Sequence, residues 1–252
     1  MADDKGLYQD EAIVLTVRDW QWQDRLAVLL TKEKGKLPVL AFGAKRLRQS
    51  WNAQLQPLAC LQVTVKLGAR LAVLRAAERI GTLHLPDEKL EVMAYGAVMA
   101  EATAALLPDE EPHPAVFALL AAAIPTLTAR NPRLVALAYL VQLLRLCGYE
   151  PDYAQCALCQ QPVAQQAYRL EPLQGGVVCG ACEAGETADP ETVVLLTQLS
   201  QLQFAAGETL LVRGKQLLEA ERFIYRFLQL QMDKPLQSLR FLQQLGQTLL
   251  KG

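Results

Sequence analysis

Residues 60–67 read C-L-Q-V-T-V-K-L. Leu61, Val63, Val65 and Leu67 fall on one side of an extended chain, and Gln62, Thr64 and Lys66 on the other. A period of two marks a strand with one face in a core and one in water. Four further segments, 11–17, 24–31, 35–42 and 69–79, are short and β-rich, and Gly35 and Gly68 supply turns between successive strands. Short strands crowded into the first eighty residues leave exposed edges unless the sheet closes on itself. Residues 1–80 are therefore predicted to form a five-stranded OB-fold barrel.

Beyond Pro86 the texture changes to Ala and Leu with a period of 3.6. Helices are predicted over 88–107, 114–129, 132–147, 190–204, 214–232 and 235–250. Pro114, Pro132, Pro190 and Pro235 stand at first-turn positions, which proline favours. Gly148 reads as the cap that ends the third helix. Leu134, Leu137, Ala138, Val141 and Leu144 give that helix one buried face. The class is α+β and multidomain: a barrel over 1–80, then a helical domain over 81–252. Residues 151–186 are an insert between the third and fourth helices.

The insert carries C-A-L-C at 156–159 and C-G-A-C at 179–182, separated by residues 160–178. A CxxC turn aims two thiolates at one point, and two such turns complete a four-sulfur shell. Cys156, Cys159, Cys179 and Cys182 are expected to hold one structural Zn²⁺ in a zinc ribbon. Two disulfides or buried thiols are the plainer alternative. A redox pair needs a cation to lower a thiol pKa, and no Lys, Arg or His adjoins these cysteines. Four sulfur ligands leave no open position, so the metal would hold structure rather than do chemistry. Gly175, Gly176 and Gly180 are expected to relieve backbone strain around it. Cys60 and Cys147 lie in apolar surroundings and read as buried free thiols.

At 52% hydrophobic, the chain can bury a substantial core. Its most apolar stretch, 114–129, is interrupted by Pro125 and reads as a core helix rather than a membrane span. The opening M-A-D-D-K-G-L-Y-Q-D-E is acidic and polar. The expectation is a chain without a leader, in a reducing cytoplasm. The net charge of −1 hides an asymmetry: residues 18–79 hold twelve Lys/Arg against four Asp/Glu, a local +8, whereas 81–150 hold four against eight. A basic front end on a near-neutral chain suggests a polyanion partner for that end.

Catalytic equipment is absent from the sequence. Ser50, Ser200 and Ser238 lie outside any nucleophile elbow, and His84 and His113 lack spaced partners for metal or base work. There is no phosphate-binding glycine loop, so neither nucleotide binding nor enzymatic activity is expected. The run Asp109, Glu110, Glu111 reads as a solvated acidic loop.

The segment G-A-K-R-L-R-Q-S-W at 43–51 follows the third strand. Cationic grooves with aromatic platforms hold single strands on OB folds. Lys45, Arg46, Arg48 and Trp51 are accordingly candidate DNA contacts, with Arg25, Lys32, Lys34 and Lys36 on nearby strands and turns. Lys66 and Arg70 add charge, and Trp20 and Trp22 in the first hairpin turn either stack on bases or pack against the barrel end.

The runs E-A-I-V-L-T-V-R-D (11–19), D-R-L (24–26), L-T-K-E-K-G-K (30–36), G-A-K-R-L-R-Q-S (43–50) and L-Q-P-L (55–58) resemble the amino-terminal domain of the RecO family. C-G-Y-E-P (147–151), C-A-L-C and G-G-V-V-C-G-A-C (175–182) resemble its carboxy-terminal half. The W-Q-W-Q-D stretch at 20–24 departs from the family pattern. The resemblance implies an OB fold, a helical bundle and a four-cysteine zinc site. It also implies binding of single- and double-stranded DNA, ATP-independent annealing, partnership with RecR, and contact with the acidic tail of single-strand binding protein. The expected role is a recombination mediator that loads recombinase onto coated DNA in the bacterial cytoplasm, at the nucleoid. For the tail peptide the cations Arg130 and Arg133 are candidates, because positive charge at the start of the helix over 132–147 opposes the helix dipole and suggests another use. Two other classes fit the residues: a zinc-ribbon adaptor that binds only proteins, and a thiol-based redox sensor.

Overall fold

A computed structural model describes residues 6–45, 54–68, 71–80, 90–163, 168–204 and 212–249. Five strands, β1 (Leu7–Trp20), β2 (Asp24–Thr31), β3 (Gly35–Ala41), β4 (Cys60–Lys66) and β5 (Ala72–Arg79), form a closed barrel in the order β1-β2-β3-β5-β4. All pairings are antiparallel except the short parallel contact of β3 with β5 at Val39↔Ala72 and Leu40↔Val73. The predicted five-stranded, OB-like barrel is therefore present. Leu61, Val63 and Val65 point into its core with Val14, Leu29 and Val39. Leu67, expected on the same stripe, lies past the end of β4 and is 38% exposed.

β1 is twice as long as its sequence pattern suggests, because its two halves pair with different strands. Leu7 to Ile13 face β4, and Ala12 to Trp20 face β2. Ala12, Ile13, Val14 and Leu15 are all buried, so alternation vanishes. Ala12 and Val14 belong to the barrel core, and helix α1 (Leu90–Leu106) packs against β1. A strand covered on both faces reads as one apolar run.

The predicted helix over 114–129 is two: α2 (Pro114–Ala123) and α3 (Thr126–Ala129). Pro125 lacks the N–H that a continuous helix needs there. The acidic run is exposed, as a solvated loop should be, but it is also anchored to the barrel. Glu110 donates its N–H to Lys36 O at 2.8 Å, and a side chain on Gly35 would meet Glu111 O at 1.7 Å. The loop lies directly on the start of β3.

α4 (Pro132–Leu146) buries ten successive residues, Val135 to Leu144, rather than one face. A helix apolar all round is buried all round. Its polar member, Gln142, donates Nε2 to Leu199 O at 2.9 Å and to Leu202 O at 3.0 Å. Those acceptors are backbone carbonyls at the end of α5 (Pro190–Gln201). Gly148, at φ +83°, follows α4 as expected. The insert holds β6 (Arg169–Glu171), β7 (Gly176–Val178) and β8 (Glu186–Thr187) in the order β7-β6-β8. α6 (Gly214–Leu230) and α7 (Gln237–Leu249) complete the chain.

Two compact units result. One is Met1–Pro132 with Gln237–Gly252, and the other is Arg133–Leu236. The first is larger than the barrel, since α7 packs on α1 within it. Glu101 of α1 receives Gln237 N (2.9 Å) and Ser238 N (2.8 Å), capping the start of α7.

Candidate metal centre and nucleic-acid interface

In the second unit the two CxxC turns converge. All four Sγ atoms lie within 4.8 Å of one another. Cys156 and Cys182 are 3.9 Å apart, and Cys159 and Cys179 are 3.7 Å apart. A tetrahedral site with bonds of about 2.3 Å has sulfur–sulfur edges of about 3.8 Å, whereas a disulfide needs about 2.05 Å. The donor set thus fits a tetrahedral metal ion and does not fit two disulfides.

Local hydrogen bonds build this arrangement. Asp152 Oδ1 accepts Ala154 N (2.8 Å) and Gln155 N (3.2 Å), turning the chain into the first pair. Gln160 N donates to Cys156 O at 2.8 Å, and Cys182 N to Cys179 O at 3.1 Å. Ala157 N donates to Val177 O at 2.9 Å, tying the first turn to β7, which runs straight into Cys179. Gly176 is required here, because a Cβ would meet Asp152 O at 2.5 Å. Gly180 has no left-handed conformation. Gly175 does, at φ +72°, as do Gly185 at φ +84° and the residues just after each pair, Gln160 at φ +61° and Glu183 at φ +52°.

The backbone N–H groups of Cys159 and Cys179 hold the Cys156 thiol down at about 6. Hydrogen bonding with Cys179 and its neighbouring sulfurs pushes Cys182 up to about 12, and Cys159 is also raised. Four thiolates this close repel, and a divalent cation at their centre would let all four ionise. Cys60 and Cys147 are free thiols but half-buried rather than buried as expected, and that partial burial raises both above the ordinary thiol value.

The predicted DNA contacts fall into two groups in the barrel. At one end, Lys45 Nζ lies 2.7 Å and Arg25 Nε 3.8 Å from the same carboxylate, Asp19. Lys45 N also donates to Gln23 O at 3.0 Å, and Gly43 N to Asp24 Oδ1 at 2.7 Å. The start of the basic loop is thereby fastened to the β1–β2 turn. Sequence reading passes over Arg18, whose guanidinium lies 5.4 Å above the Trp20 ring; its nearness in sequence to Trp20 was the available signal.

Lys32 and Lys34 sit in the turn at the other end of β2. Lys32 faces Glu11 at 3.4 Å, and Lys34 covers the Tyr8 ring at 5.1 Å. Lys36 is 14% exposed and bonds Ala104 O (2.8 Å) and Asp109 (3.0 Å), which makes it a strut between β3 and the helical segment. Arg46, Arg48 and Trp51, like Arg70 and His84, lie outside the described residues. Arg130 N caps α3 by donating to Thr126 O at 2.9 Å. Arg133 is bonded to Glu221.

Two family models cover nearly the whole chain. The recombination protein O N-terminal model matches residues 3–83, and the recombination protein O C-terminal model matches 87–240. The chain belongs to the RecO family. A DNA repair protein RecO from Cutibacterium acnes is 30% identical over 246 residues, covering 94% of this chain and 98% of that protein. RecO proteins from a Nocardioides species and from Thermobifida fusca are each 30% identical over 94% of this chain and 99% of their own length. The expected RecO assignment thus holds across both halves, with the cysteine cluster inside the C-terminal match. Among the described residues, no helix is long and apolar enough to cross a membrane.

Proposed function

We propose that this RecO-family chain is a non-enzymatic DNA-binding mediator of recombinational repair. In this reading it anneals single strands without a nucleotide, and with RecR it loads recombinase onto strands coated by single-strand binding protein. The observation that carries it is the convergence of Arg25 and Lys45 on one carboxylate, Asp19. Two cations share one anion, so net positive charge remains beside the tryptophan-bearing turn. Such a surface lowers the repulsion between two phosphate backbones, and annealing needs no covalent step.

Residues 1–80 act as the nucleic-acid module and 81–252 as the partner-binding part, with 151–186 as its zinc-bound insert. Arg46, Arg48 and Trp51, which follow Lys45 in the sequence, are further DNA contacts in this reading, and Lys32 and Lys34 form a second cationic group. Lys36 contributes least, being held by Ala104 and Asp109. The metal is one Zn²⁺, held by Cys156, Cys159, Cys179 and Cys182, and it supplies folding energy to the insert. An acidic tail peptide competes with Glu221 for Arg133. The site of action is the bacterial cytoplasm, at the nucleoid.

A titration of single-stranded DNA at several salt concentrations tests this reading. Arg25→Glu with Lys45→Glu should lower the log–log salt slope by roughly 1.4, at about 0.7 per lost phosphate contact. Wild-type protein that fails to bind DNA at low salt refutes the reading. An unchanged slope moves the surface to Lys32 and Lys34.

A further inference from the structure

The β1–β2 turn over residues 21–23 presents Trp22 almost wholly to water, at 98% exposure. Its neighbours are differently placed. Trp20 is 38% exposed and lies beneath Arg18. Phe42, next to the Ala41 that pairs with Arg25, is half exposed at the same end of the barrel. An indole in water stabilises nothing by packing, so the fold does not need Trp22 where it is.

The turn beneath it is well secured. Gly43 N bonds Asp24, Lys45 N bonds Gln23 O, and Lys45 Nζ pairs with Asp19. An aromatic ring on a fixed support, among Arg18, Arg25 and Lys45, pairs a flat apolar face with phosphate-binding charge. Asp19 and Asp24 offset part of that charge, but Asp24 is engaged by Gly43 N and Asp19 by two cations. Unpaired nucleic acid has the complementary chemistry, since exposed base faces stack on aromatic rings while phosphates meet cations. A duplex keeps its bases stacked on one another and offers only the phosphates.

We propose that Trp22 is a stacking finger for unpaired bases, and that it confers on the barrel a preference for single strands over duplex. The proposal rests on reading the barrel as DNA-binding, and names the group that selects strand state. Phosphate contacts alone do not make that selection.

Fluorescence and binding together test it. Trp20, Trp22 and Trp51 are the three tryptophans, so Trp20→Phe with Trp51→Phe leaves Trp22 as the sole indole. Its emission should be quenched by oligo-dT and left nearly unchanged by a blunt duplex. In the otherwise native chain, Trp22→Ala should weaken single-strand affinity about tenfold, within the range of one lost base stack. Duplex affinity and salt slope should not move, and Trp22→Phe should retain most of the affinity. Equal losses on single strand and duplex, or wild-type single-strand affinity in Trp22→Ala, overturn the finger while the DNA-binding reading stands. A wild-type chain that binds neither form overturns both.

Discussion

Arg133 grips both oxygens of Glu221: Nε donates to Oε1 at 2.8 Å, and a terminal nitrogen donates to Oε2. The Glu221 side chain is 8% exposed, and Tyr225 OH stands 3.4 Å from Oε1. The cation that opposes the dipole of α4 is thus retained by a carboxylate on α6, 88 residues away. Removing one partner strands the other. Arg133→Ala should destabilise the second unit by about 3 kcal/mol, in line with other broken buried pairs. Arg133→Met with Glu221→Leu should recover much of the loss. Urea unfolding of the single and double variants gives both values.

Metal content should be close to one zinc per chain, and Cys179→Ser should lower it and loosen the ribbon. Ligation requires four thiolates. Cys156 gives up its proton near 6, whereas Cys159 and Cys182 hold theirs to higher pH than an ordinary thiol. Lowering the pH raises the competition of protons with the metal for all four sulfurs, and the raised thiols of Cys159 and Cys182 favour the proton most. Zinc release to a chromogenic chelator should be faster at pH 6 than at pH 8.

Gln160 and Glu183 occupy left-handed backbone after each CxxC turn. Such conformations cost a side-chain-bearing residue roughly 1 kcal/mol, and glycine escapes most of it. Gln160→Gly and Glu183→Gly should each raise the stability of the zinc-loaded second unit by up to about 1 kcal/mol. Thermal melts at saturating zinc would register a rise of a few degrees, and a fall would show that the side chains matter more than the backbone.

Gly35→Ala should be among the most damaging small substitutions in the first unit. Its φ is +72°, and the new Cβ would meet Glu111 O at 1.7 Å. Either the loop over Asp109–Glu111 lifts off β3 or the barrel distorts. A loss of more than about 2 kcal/mol is expected, combining backbone strain with a forced displacement. Restored stability in a Gly35→Ala chain with a lengthened 109–112 loop would confirm the cause.

Local patterns in the sequence were readable where one neighbour determines a residue's environment. Leu61, Val63 and Val65 face one core, and the cysteine spacing encodes a shared centre within one short insert. Legibility fails where a second neighbour comes from far along the chain. β1 loses its alternation because α1 covers its outer face, and α4 looks one-sided though it is buried on every side from Val135 to Leu144. Arg133 and Lys36 read as spare cations because Glu221 and Asp109 lie 88 and 73 positions away. Charge counts over a window cannot reveal which members are already paired. The split of the basic residues between two ends of β2 is likewise a product of strand register rather than of proximity in sequence.

The carboxylate of Glu101 at the head of α7 has a consequence for how the chain is made. Synthesis delivers the barrel and α1 early, but their unit lacks its closing helix until residues 237–249 have left the ribosome. Everything from Arg133 to Leu236, ribbon included, emerges in the interval. That middle stretch is a cassette spliced into a host, with both cut points in the host's own sequence. A nonsense mutation after the ribbon would spare every strand and cysteine named above and still leave the host with an open seam.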